Sequence, residues 1–127
     1  MLAAGALASH AAAAYEPHTN YMLQCMGCHK PDGSGEPGRG VPDLRTSVVP
    51  FASLPQGRRY LVQVPGAAQS TLSDAELAAV INWIATQLSA VKPERFVPFT
   101  AGEVARYRRT PLIEVSATRA RLLQQAR

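Results

Sequence analysis

Cys25 and Cys28 are the only thiols in this chain of 127 residues, and His29 directly follows the second of them, in Gln24-Cys25-Met26-Gly27-Cys28-His29-Lys30. Thiols and imidazole bind metals, exchange disulfides and add to activated double bonds, so the spacing has to decide among these chemistries. A closed zinc site needs four ligands, and outside this run only His10 and His18 remain to complete one; such sites usually contain more cysteine. A thioredoxin-like dithiol would follow a strand in a βαβ pattern, and no such pattern occurs here. A plain disulfide leaves the position of His29 unexplained.

Cys-x-x-Cys-His is instead the attachment signature of c-type haem. Two thiols about one helical turn apart can each add across a vinyl group of one porphyrin, the sulfur bonding to one vinyl carbon and hydrogen to the other. The imidazole next to the second thiol then lies under the ring and offers a nitrogen to iron. Gly27 keeps a side chain out of the turn between the thiols. Cys25 and Cys28 are thus expected as attachment residues, and His29 as the metal ligand.

The elements around this run must position it. Thr19-Asn20 is expected to cap a short helix through Cys25, with Tyr21 one turn earlier on the same face. The following Lys30-Pro-Asp-Gly-Ser-Gly-Glu-Pro-Gly-Arg-Gly-Val-Pro-Asp-Leu44 is rich in glycine and proline, and is expected to be ordered only by wrapping around something. The second nitrogen of His29 needs an acceptor to orient it, and the Pro42 carbonyl is the candidate. Ser73-Asp-Ala-Glu76 reads as a capping box. Leu77, Ile81, Ile84 and Leu88 then form one apolar stripe, with Trp83 on an adjacent face.

This order of features resembles the class I c-type cytochromes: a first helix ending in Cys-x-x-Cys-His, a glycine-rich loop reaching a proline, and a later helix opening with Leu72-Ser73-Asp74. The resemblance spans roughly residues 17–90. It implies a small all-α fold with long loops around one covalently attached haem c. It also implies that Trp83, where the family has an aromatic residue, packs near the first helix with Tyr21 as its partner. The expected activity is periplasmic one-electron transfer by a carrier rather than an enzyme. The expected partner is a redox protein (a dehydrogenase, an oxidase or another cytochrome) met by electrostatics, transiently or within a hetero-oligomer. A peroxidase-like enzyme fits less well, for no distal histidine–arginine pair is apparent.

In one respect the chain departs from that family, whose sixth iron position is usually filled by a methionine before a proline just upstream of the last helix. Here Val64 stands before Pro65, and no methionine follows Met26. Four arrangements remain open. In the first, the iron is five-coordinate beneath a dry pocket containing Val64. In the others, Gln63, Gln69 or Tyr60 binds, His18 or His10 binds, or a partner supplies the ligand. Met22 and Met26 lie too close to the attachment run to reach across the ring. Loss of a thioether ligand lowers the potential, and an open position would admit CO or NO, which makes gas binding or sensing the alternative function. Arg58 and Arg59, with the Tyr60 hydroxyl, are expected at the haem propionates.

The remaining sequence sets the boundaries. Residues 1–14, uncharged and rich in alanine, read as a signal-peptide remnant; about 14 weakly apolar residues are too few to span a bilayer. Residues 15–92 form the expected cytochrome domain and 93–127 a basic extension. From Pro93 onward seven arginines face three glutamates, while the earlier chain is balanced, so the whole net charge of +4 lies in this last segment. That concentration fits a local contact and not a nucleic-acid-binding surface. Thr100–Glu103 reads as a second capping box opening a helix that Thr110-Pro111 ends, and 116–125 as a further helix. Phe96, Val97 and Phe99 are expected over the haem edge or closing the distal side, with Arg106, Arg108 and Arg109 turned towards an acidic partner.

Overall fold

The structure, a computed structural model, describes residues 14–126. The expected leader therefore lies outside the described residues except for Ala14, as does His10. Eight α-helical segments follow one another: α1 (Pro17–Gln24), α2 (Met26–His29), α3 (Leu44–Ala52), α4 (Pro55–Gln63), α5 (Pro65–Ala68), α6 (Asp74–Trp83), α7 (Ala101–Arg108) and α8 (Val115–Gln125). Among the described residues there is no strand, only one antiparallel bridge between Glu36 and Val41. The all-α expectation holds.

Local chemistry sets most of the boundaries. Pro17 occupies the first turn of α1, where an N–H would have no helical partner, so the helix opens ahead of the cap expected at Thr19-Asn20. Asn20 is instead buried and donates from Nδ2 to the Tyr15 carbonyl at 3.3 Å. Asp43 caps α3 by accepting from Arg45 N–H at 2.9 Å. Ser73 and Glu76 make both bonds of the expected capping box on α6. Thr100 accepts from Glu103 N–H at 3.2 Å, but the Glu103 carboxylate turns to Arg58, so this second cap is only half of a box.

α6 continues past Trp83 as a π-type turn, Ile84–Leu88, closed by Ser89 N–H donating to the Ile84 carbonyl at 3.1 Å. The stripe read from the sequence faces inward: Leu77, Ile81 and Ile84 are buried and Leu88 is partly so. α1 lies against α6, and the Tyr21 and Trp83 rings meet with centroids 5.3 Å apart, as expected. α3 and α4 pack closely because Gly57 has no side chain; a Cβ there would collide with the Phe51 carbonyl. α7 lies on α6 and α4, and α8 on α4. Val104 of α7 and Leu122 of α8 are as deeply buried as Tyr21, Phe51, Val62 and Val80. The C-terminal segment is therefore part of the packed body.

Candidate functional site

α3, α4, α5 and α6 enclose an apolar cavity of about 390 Å³, and the turn carrying Cys25, Cys28 and His29 borders it. Its walls include Val48 and Phe51 from α3, Leu61 from α4, and Leu77, Val80 and Ile81 from α6. Both cysteines belong to one tight turn. Cys25 N–H donates to the Tyr21 carbonyl at 2.8 Å, and both Cys28 and His29 N–H return to the Cys25 carbonyl at 3.2 and 2.9 Å. Burial pushes the Cys25 thiol up to about 11, so it is protonated at neutral pH. A Cβ at Gly27 would meet nothing within 4 Å, so no crowding of the polypeptide explains that glycine.

His29 Nδ1 lies 3.0 Å from the Pro42 carbonyl oxygen. A carbonyl only accepts, so the contact places the imidazole proton on Nδ1 and leaves the Nε2 lone pair free. Burial lowers the His29 pKa, opposed by the Pro42 contact, and so favours the neutral ring. The loop between them is held in place by its own backbone hydrogen bonds. Gly35 N–H donates to the His29 carbonyl at 3.0 Å and Leu44 N–H to the Gly33 carbonyl at 2.9 Å, while Glu36 and Val41 exchange bonds of 3.0 and 3.1 Å. Gly35, at φ +63°, passes so close to Val41 and Pro42 that any Cβ would strike their carbonyls. The Tyr21 hydroxyl adds a 2.6 Å bond to the Lys30 carbonyl.

Tyr60 and Val64 line the wall built from α4 and α5, one turn apart, with Val64 N–H donating to the Tyr60 carbonyl at 3.0 Å. Gln63, next to Val64 at the end of α4, is not among the lining residues, and Gln69 is exposed. His18 is exposed and lies against Trp83, with ring centroids 5.2 Å apart, so it stands outside the cavity. Among the described residues no methionine lines the cavity.

The arginines expected at the propionates are used elsewhere. Arg58 makes a two-point pair with Glu103, Nε–Oε1 and Nη2–Oε2 both 2.7 Å, donates to the Val97 carbonyl at 2.8 Å, and lies 3.9 Å from the Phe99 ring centroid. A negative partner, a carbonyl and an aromatic face together hold it away from the cavity. Arg59 is exposed, 5.5 Å from the Tyr107 ring centroid, and does not line the cavity either. Phe99 is buried, bonded through its backbone to Asn82 at 2.7 and 3.0 Å, and packs on Phe96; Val97 is exposed. None of the three reaches the cavity. Arg108, expected on an outward face, donates to the Ala68, Ser70 and Leu72 carbonyls at 2.8–2.9 Å and to Asp74 at 3.1 Å.

Of the polar lining residues that escape a reading of the sequence, Gln24 and Arg119 have the longest side chains. Gln24 borders the cavity and donates to Thr71 at 2.9 Å. Arg119, on α8, reaches it from the C-terminal segment. The signal for Arg119 is its place between Val115 and the buried Leu122, on one face of a short helix, which a reading of the segment as a basic surface passes over.

Apolar walls, two thiols on one turn and an imidazole whose proton is held on the far nitrogen are a set of residues that fits a porphyrin with iron. An all-α shell of this kind around such a turn defines a c-type haem protein. No family model matches the chain. Over 104 aligned positions it is 36% identical to Cytochrome c-552 of Thermus thermophilus, the match covering 67% of this chain and 79% of that protein. Cytochrome c-552 of Thermus thermophilus strain ATCC 27634 is also 36% identical over 104 positions, covering 67% of this chain and 70% of that protein. The chain belongs to the cytochrome c family. It is a mono-haem electron-transfer protein whose cofactor is covalently attached haem c.

Proposed function

We propose that this chain carries single electrons in the periplasm, with Cys25 and Cys28 as the thioether attachment points, His29 as an iron ligand, and no methionine opposite it. The cofactor supplies one-electron cycling of iron; the chain supplies attachment, orientation and a dry surrounding. The Pro42 carbonyl holds the Nδ1 proton and fixes the ring, so Nε2 would be the nitrogen left to hold iron. The apolar walls from α3, α4 and α6 keep water from the iron, and the turn that holds the thiols lies at the protein surface, where Cys28 is exposed. A haem attached at that turn would present an edge within reach of a partner. Arg95, Arg106, Arg109 and Arg121 are exposed and supply positive charge for docking to an acidic surface.

The observation that carries the unusual ligation is the composition of the cavity wall built from α4 and α5: Val64 and its neighbours line it, with neither methionine nor a second histidine. Gln63, Gln69 and His18 lie elsewhere, which leaves Tyr60 as the side chain of that wall able to compete for iron. The same observation favours a second reading, binding of a small gas at the open position, alone or within a larger redox complex. Optical spectra of the reduced holoprotein with and without CO test the ligation. Rapid, stoichiometric binding is expected; an unchanged, firmly six-coordinate spectrum contradicts it. Voltammetry tests the carrier role, for which a reversible one-electron wave is expected.

A further inference from the structure

Among the described residues, the arginine that lines the cavity comes from α8. The Nε–H of Arg119 is buried and has no hydrogen-bond partner among those residues. An unpaired donor on a cation is costly inside a protein, and its persistence in a largely apolar wall points to a missing acceptor. Tyr60 lines the same cavity, one turn before Val64, and α8 rests on α4. The positive charge of Arg119 acts on that phenol, opposing the upward push of burial. Arg119 and Tyr60 therefore share the wall of Val64.

We propose that Arg119 and Tyr60 form an anion-receiving corner of the cavity, which makes the C-terminal segment part of the cofactor site. The inference rests on the reading of the cavity as the haem site. The chemistry required is a compact anion that accepts from a guanidinium N–H and a phenol O–H at once. Two sources supply it: a propionate carboxylate of the attached haem, or a small anion bound at the iron. The aligned N–H donors of arginine suit either. The other titratable groups lining the cavity are Cys25, Cys28 and His29, none of them acidic enough to act as the missing partner.

The test compares matured holoprotein with Arg119→Gln and Tyr60→Phe, read in two ways. If the corner holds a propionate, Arg119→Gln raises the pH at which the midpoint potential bends by about one unit, the equivalent of a tenfold loss of carboxylate stabilisation. If it holds an iron-bound anion, Arg119→Gln weakens azide binding to the ferric protein by about tenfold, and Tyr60→Phe by less. Arg119→Lys, which keeps the charge but loses the fork, restores part of either effect. Neither bend nor azide affinity moving in Arg119→Gln overturns the proposal. Circular dichroism melting of the same variants separates this from misfolding. Failure of the unsubstituted protein to retain haem would contradict the site reading and overturn the proposal with it, an outcome distinct from variants that hold haem but show no shift.

Discussion

Arg58 on α4 and Glu103 on α7 meet in a two-point ion pair, each contact 2.7 Å, with side chains only 14% and 15% exposed. The pair ties the C-terminal segment to the wall of the cavity. The Arg58 guanidinium hydrogen-bonded to Glu103 holds that carboxyl below its ordinary value. A depressed carboxyl stabilises the fold fully above the ordinary glutamate value of 4.5, and the contribution is lost as pH falls through the lower folded-state value. Glu103→Gln should cost about 2 kcal/mol at neutral pH, since it leaves a largely buried guanidinium without its anion. Melting curves from pH 7 towards acid check this: the gap between the two proteins should close as the pH drops.

Arg108 is the second tie, donating to three carbonyls of the 68–72 segment and to Asp74. Arg108→Ala orphans these acceptors and should destabilise by about 2–3 kcal/mol. Amide hydrogen exchange should show faster exchange in 66–72, next to the Val64 wall. Reversing only the exposed Arg106 or Arg109 to glutamate should leave stability within about 0.5 kcal/mol while weakening docking to an acidic redox partner at low salt.

Gly35→Ala drives a methyl group into the Val41 and Pro42 carbonyls at a position with φ +63°. The substitution should cost about 2–3 kcal/mol, and it should act on the site as well, because the Pro42 carbonyl oxygen is the acceptor that holds His29 Nδ1. Weakening that bond makes the imidazole a poorer electron donor. The expected outcome is a raised midpoint potential in whatever holoprotein forms, measured by redox titration. Gly38→Ala, where nothing lies within 4 Å of the added atom, is the matched control.

What can be read from the sequence follows short-range rules. The Cys-x-x-Cys-His turn, the Pro42 acceptor, the Ser73 capping box and the Tyr21–Trp83 contact each depend on spacing within a helix or on one distinctive residue. The start of α1 departs from the local signal because Pro17 at the first turn outweighs a Thr-Asn cap two residues later. The starts of α3 and α4 carry local signals, the Asp43 cap and Pro55 in the first turn, but the contact between them depends on Gly57 meeting the Phe51 carbonyl, a tertiary event with no local signature. The arginines are hard to place for a related reason. A guanidinium has reach in every direction, and only the fold shows that Arg58 turns to Glu103, Arg108 to the carbonyls, and Arg119 to the cavity.

Val64→Met places a thioether on a wall that holds no sulfur ligand in this chain. The variant holoprotein should acquire a methionine-ligated, low-spin spectrum, raise its midpoint potential and lose CO binding. An unaltered spectrum would show that Val64 does not face the iron.

Covalent attachment at the Cys25–Cys28 turn is the claim on which the other assignments depend. Acid-acetone extraction of protein matured in a competent periplasm, followed by peptide mass spectrometry, tests it directly. The account predicts that the pigment stays with the polypeptide, that one haem is carried on the peptide containing both cysteines, and that neither thiol can be alkylated. Pigment passing into the acetone phase, or both thiols reacting freely in pigmented protein, would contradict it.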